Sequence, residues 1–169
     1  RSTATIRQLF FTDLWGAVGF DTGYYRPFAA VVFRFLYATF GKGPASFHVV
    51  SVFLLAATTA LVFLLVRSVL SEDHRHGVRA REAPALAAAL LFAVHPVHVE
   101  AVAWISGMMD VASTLFAVLF LVLRIRGARA ISWLALFAGL LFKESAIAAA
   151  PIAVLFDLSF RQNPERPMR

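Results

Sequence analysis

Residues 47–70 run for about 24 positions with no charge before Arg67. At 1.5 Å rise per residue that makes a helix of roughly 36 Å, enough to cross a bilayer. In hydrocarbon every backbone N–H and C=O of such a segment must be satisfied within it, so helix is the form open to it and helices are its natural neighbours. Composition extends the reading to the rest of the chain. Hydrophobic residues make up 60% of 169 positions and charged residues only 15%, with a mean hydropathy of +0.74. Seventeen Phe would be hard to hide in one soluble core of this size. With no cysteine there is neither a disulfide framework nor a thiolate metal site.

Further apolar segments follow at 84–95, 108–123, 131–142 and 145–158. Pro84 suits the first turn of its helix, where a missing N–H costs nothing. Residues 84–95 and 131–142 are short for a full span, and Pro151 interrupts the last segment. Short segments beside polar pairs predict helices that break at the membrane surface over a solvated cavity. The sequence thus predicts an all-α, polytopic transmembrane helix bundle over residues 47–158, with short or broken membrane helices. Residues 1–46 form an external loop with an interfacial helix, and 159–169 a cytoplasmic loop or cut end. No repeat and no low-complexity segment interrupts this order.

The net charge of +6 is almost all arginine, since Lys42 and Lys143 are the only lysines. The arginines fall in short loops and not on one basic face, which points to membrane topology and away from nucleic acid. Placing loops 71–83, 124–130 and 160–169 on one side collects Arg75, Arg79, Arg81, Arg124, Arg126, Arg129, Arg161, Arg166 and Arg169 there. Residues 95–110 carry no Lys or Arg at all. The arginine side is therefore expected to be cytoplasmic, and the other side to face the periplasm of a bacterial inner membrane, or the lumen of the endoplasmic reticulum in a eukaryote.

Before the first span, Leu9, Phe10, Phe11, Leu14 and Trp15 alternate with Arg7, Gln8 and Asp13 as in a helix lying in the interface. An aromatic run follows: Phe28, Phe33, Phe35, Tyr37 and Phe40, the composition of an interfacial belt. Arg26, beside Pro27, stands out within it. A guanidinium fixed at this surface suits a phosphate, which its planar fork grips bidentately, and equally suits a paired structural arginine.

His95-Pro96-Val97-His98-Val99-Glu100 is the other exceptional stretch. Ionised residues near the centre of a membrane helix cost roughly 2.5 to 3.5 kcal/mol each, so such a cluster usually sits at a water-filled mouth and acts there. Two plainer readings stand beside that one. The motif also fits a helix start with Pro96 in its first turn, or three ligands for a divalent metal, although Pro96 breaks the spacing. Glu144 beside Lys143 fits a structural ion pair at a helix junction. His74 and His76 read as solvated, His48 as a helix-end residue and Asp157 as structural.

Taken in order, Asp13-Leu14-Trp15-Gly16, Tyr25-Arg26-Pro27-Phe28, the histidine motif with Trp104-Ile105-Ser106-Gly107 and Asp110, and Lys143-Glu144-Ser145 before Asp157-Leu158 resemble the membrane half of the transmembrane and tetratricopeptide-repeat O-mannosyltransferases and their bacterial relatives. Those belong to the GT-C superfamily, and the resemblance covers nearly the whole chain. It implies a GT-C-like bundle, a polyprenyl-phosphate sugar donor, a protein or glycan acceptor and an external active site in the lipid bilayer, and no cofactor is assigned beyond the divalent metal that the histidine motif leaves open. Two departures accompany it. The turn Gly107-Met108-Met109-Asp110 lacks the basic residue often found there in relatives. The family's first helix and its acidic motif, source of the expected catalytic base, would lie upstream of Arg1, so this stretch alone is expected to be inactive.

Glycosyl transfer from a lipid phosphate needs a base for the acceptor proton and cations for the departing phosphate. Arg26 and Lys143 are the candidates for the phosphate. Glu100 and Asp110 are candidates to orient the acceptor or hold those cations, with Glu144 at the same substrate site. His95 and His98 are placed to hydrogen-bond sugar hydroxyls or phosphate. A transporter also uses broken helices, though no inverted repeat is visible here, and a non-catalytic membrane anchor is the third class left open.

Overall fold

A computed structural model describes residues 23–41, 43–72 and 78–161. The interfacial helix expected at residues 6–18 lies outside them, as do residues 73–77 and 162–169. The elements are α1 (Pro27–Phe40), α2 (Pro44–Glu72), α3 (Val78–Ala93), α4 (His98–Ala103), α5 (Met108–Ile125), α6 (Arg129–Phe142), a 3-10 segment (Glu144–Ala148) and α7 (Ala149–Arg161). There is no strand among the described residues, and the fold is an all-α membrane helix fold. Two helices are long and apolar enough to cross a membrane, α2 over Pro44–Ser71 and α5.

The two differ in place. Only 11% of the apolar window of α2 is buried inside the protein, against 44% for α5. α5 is accordingly the axis of the bundle, packed on α6, on α2 and on the 3-10 segment, while α3 packs along α2. The core on one side joins Phe120 of α5, Ala135 and Leu136 of α6, and Ala146, Ala149 and Ala153 beyond it. Its small residues let backbones approach closely, the usual solution where lipid gives helices no hydrophobic reason to associate. Outward, Phe53, Leu91, Leu134, Phe137 and Leu155 are exposed, as a lipid-facing surface requires.

Residues 27–40, expected within a loop, form a helix. Pro27 sits at its first position, where no N–H is needed, and the Ala30 N–H closes on the Arg26 carbonyl. Ala29 and Leu36 are buried against α2 and α5, leaving Phe35, Tyr37 and Phe40 on the outside. Pro84 does not open its helix: α3 begins at Val78 and carries Pro84 inside. The carbonyl that Pro84 cannot meet belongs to Ala80, an exposed residue. Pro151 likewise falls in the first turn of α7 and does not interrupt it, the break coming earlier at the 3-10 segment. The α5–α6 turn closes on Gly127, whose φ of +83° is the left-handed conformation that ends a helix, with the Ala128 N–H reaching back to the Leu123 carbonyl.

Candidate functional site

Three interruptions bring the polar residues together. α3 stops at Ala93, and His95-Pro96-Val97 turns the chain, with His98 N–H bonded to the His95 carbonyl and Val99 N–H to that of Pro96. α4 then runs for six residues before Trp104 and Gly107 redirect the backbone into α5. Gly107 is needed there, because a Cβ at that position would lie 2.4 Å from the Ala101 carbonyl oxygen. The third interruption is Lys143, extended at φ −160° and ψ 141°, between α6 and the 3-10 segment.

At these breaks two ion pairs tie distant segments. One Arg26 guanidinium nitrogen donates to both Glu144 carboxylate oxygens, at 2.9 and 3.1 Å, across 118 positions of sequence. The Arg26 guanidinium also lies over the Tyr24 ring at 4.9 Å. Its side chain is only 12% exposed, and its Nε is buried without a hydrogen-bond partner. Lys143 Nζ pairs with Asp110 of α5. Ser113, one turn further along α5, donates to the Lys143 carbonyl at 3.1 Å and so fixes the extended residue between the helices. The Glu144 carboxyl is held below the usual carboxylate range, first by a hydrogen bond with its own backbone N–H. The charge and hydrogen bond of Arg26, then the charge of Lys143, add to that, against the opposing effect of burial.

These residues face a cavity of about 630 Å³, a size typical of small-ligand sites. Arg26, His98, Glu100, Asp110 and Lys143 line it, with Leu55, Phe92 and Trp104 as apolar wall. His98 packs on Phe92 at 4.4 Å between ring centroids, and its Nε2 is buried with no partner. Glu100 is exposed. Of the residues singled out from the sequence, Glu144 reaches this site through Arg26, whereas His95 stands outside the cavity wall. Its Nδ1 accepts from the Val97 N–H at 3.2 Å, so it stabilises the turn.

Asp110 holds one of the two cations, as the sequence allowed, but the pairing of Glu144 differs from the one its neighbour suggested. Lys143 and Glu144 do not pair with each other, because the extended backbone sends one to α5 and the other to Arg26. Among the described residues no group of three or more His, Asp or Glu is arranged to hold a metal ion, His95, His98 and Glu100 included. Asp157 accepts from Arg124 at 2.5 Å, the structural role expected of it. Ser113 and Tyr24 were missed. Ser113 lies three residues after Asp110, on the same helical face, which is the signal that would have found it.

Protein O-mannosyl-transferase TMTC2 of Mus musculus is 33% identical over 166 residues, covering 89% of this chain and 19% of the relative. Protein O-mannosyl-transferase Tmtc1 of Drosophila melanogaster is 36% identical over 163 residues, covering 90% and 18%. The chain is a relative of the protein O-mannosyl-transferases. A third, TMTC4 of Mus musculus, is 38% identical over 128 residues, 70% of this chain and 17% of its own length. The chain thus spans about a fifth of the length of the first O-mannosyl-transferases it matches. No family model matches it, and no solved structure does.

Proposed function

We propose that the chain is the membrane-embedded substrate-binding part of a GT-C-type glycosyltransferase. It passes a sugar, mannose by the names of its relatives, from a polyprenyl-phosphate donor to a hydroxyl of a protein or glycan acceptor. The observation that carries this is the cavity itself: Arg26, His98, Glu100, Asp110 and Lys143, from separate segments, line one space at one end of the bundle. In the reaction the acceptor oxygen attacks the anomeric carbon, the bond from that carbon to the phosphate oxygen breaks, and the electron pair leaves with the lipid phosphate. The acceptor proton passes to a carboxylate base as the new bond forms.

Arg26 and Lys143 stabilise the charge on the departing phosphate. Each is already neutralised by a carboxylate, Glu144 and Asp110. That pairing keeps two cations at a membrane surface without the cost of leaving them alone, and holds them in place until an anion arrives. Glu100 is free to orient the acceptor, and the unpartnered Nε2 of His98 to hydrogen-bond a sugar hydroxyl. The cavity end faces the periplasm or lumen, a reading supported by Arg124, Arg126 and Arg129 gathering around the opposite ends of α5 and α6.

The test uses the full-length parent in membranes, with a radiolabelled polyprenyl-phosphate mannose and a Ser/Thr-rich acceptor. Arg26→Ala and Glu100→Gln should each lower transfer by about 100-fold at parental expression, the loss typical of removing one contact to developing charge or to an oriented reactant. Arg26→Lys should recover only part, since it restores the charge and not the fork. Parent-like transfer in both neutral variants overturns the site.

A further inference from the structure

α4 carries His98 and Glu100 to the cavity, yet none of its six residues is buried. Such a helix is too short to hold itself in water or at a headgroup surface. Something outside it must fix its position. The His98 ring packs on Phe92 of α3 at 4.4 Å, and two further contacts hold the backbone of α4. At its far end Gly107 lies so close to the Ala101 carbonyl that only glycine fits. At its side, His48 of α2 donates from Nδ1 to the Val102 carbonyl at 3.1 Å, across 54 positions of sequence. A carbonyl only accepts, so Nδ1 carries the proton. Val102 is in the last turn of α4, where carbonyls have no partner within the helix. The Glu100 carbonyl is met by the Trp104 N–H, and that of Val102 by His48.

We infer that His48 is a positioning residue: it clamps α4 onto α2 and thereby sets where His98 and Glu100 stand in the cavity. His48 itself is not among the residues lining that space. α2 is the longer of the two helices among the described residues that are apolar enough to cross a membrane, so the clamp ties a short surface helix to a long apolar one. The inference rests on the transfer reading for its kinetic consequence and on the hydrogen bond alone for its structural one. The experiment separates the two.

In the full-length parent, hydrogen exchange is followed over residues 98–107 and over α5, beside transfer from polyprenyl-phosphate mannose. His48→Ala should speed exchange over 98–107 by about fivefold, the effect of losing one ordinary hydrogen bond, with α5 unchanged. Transfer should fall about tenfold, since small misplacements remote from the reacting atoms are enough for that. His48→Asn keeps a side-chain N–H donor and should recover part of both. In the Glu100→Gln background His48→Ala should add little, because both changes remove the same oriented group.

Unchanged exchange over 98–107 overturns the clamp, whatever the transfer rate. Loss of protection in α5 as well shows a support for the whole bundle and overturns the positioning role. Faster exchange with parent-like transfer, or fully additive losses with Glu100→Gln, overturns it too. A parent that transfers no sugar from this donor overturns the transfer reading, while the exchange result still decides the clamp.

Discussion

The two ends of the bundle carry the same physical device in different surroundings. At one end Arg26 pairs with Glu144 at 2.9 Å and lies over Tyr24. At the other Arg124 pairs with Asp157 at 2.5 Å and lies over Trp133 at 5.7 Å. Both guanidinium groups leave Nε buried and unpartnered. Arg26, however, opens on a cavity with a second cation and two further carboxylates, whereas Arg124 and Asp157 face none of that space. An arginine–carboxylate pair on an aromatic ring near a bilayer is thus a way to keep a charge there and says nothing by itself about chemistry. What the pair surrounds decides its role.

The comparison breaks most sharply on topology, where the outcome is all or none. On the proposed reading the two ends lie on opposite faces of the membrane. Cysteines introduced at exposed Val99, near the cavity, and at exposed Ala130, after the α5–α6 turn, report them in a stretch that has no cysteine of its own. An impermeant thiol reagent on intact cells should label Val99→Cys and spare Ala130→Cys until the membrane is opened. The reverse pattern would invert the assignment of the cavity to the external side.

The next test sets the two arginines against each other. Arg26→Ala removes a group from the cavity, and transfer should collapse while folding survives. Arg124→Ala should do the opposite. Arg124 and Asp157 side chains are only 17% and 23% exposed, so deleting one partner leaves a largely buried carboxylate unpaired, at a cost of about 1–3 kcal/mol. The variant should unfold at lower temperature in detergent, yet transfer per folded molecule should match the parent. Equal loss of transfer in both variants would mean that the two pairs are alike in function after all.

What could be read before folding divides along the same line. Helix and span are local properties, so the apolar run of α2 announced the helical bundle, while the arginine loops supply an expectation for its two faces that the labelling experiment tests. The residues of the cavity were also legible, because a charge beside an apolar segment is conspicuous wherever it lies. The pairing was not. Lys143 adjoins Glu144 in sequence, and only the extended backbone at Lys143 sends them to separate partners. The helix over residues 27–40 was hidden for a related reason: its aromatics suit an interface and a helix equally, and burial of Ala29 and Leu36 against other elements decides between them. His48 and Ser113 act on carbonyls, which every residue has, so nothing in their own identity marks the role.

The smallest expected effect concerns acid, and it sharpens the difference between the two ends. Glu144 is 71% exposed although its partner is nearly buried, so water screens much of the pair. Its carboxyl nonetheless sits below the usual carboxylate range, chiefly through its own backbone N–H and then through Arg26. A carboxyl whose native pKa is lower than its unfolded one contributes stability at every pH above the unfolded value, and that contribution disappears as the pH falls through the native value. Glutamate titrates near 4.3 when unperturbed. Between about pH 6 and 8 both states are therefore ionised, and this group gives thermal stability no slope. Below about pH 4.5 stability should fall, and Glu144→Gln should make the fall slightly shallower while lowering the neutral-pH plateau a little. Melting of the detergent-solubilised parent and variant across that range measures it. An identical acid limb in the two proteins would show that the carboxylate contributes nothing to holding Arg26, and that the guanidinium is kept in place by Tyr24 and the start of α1.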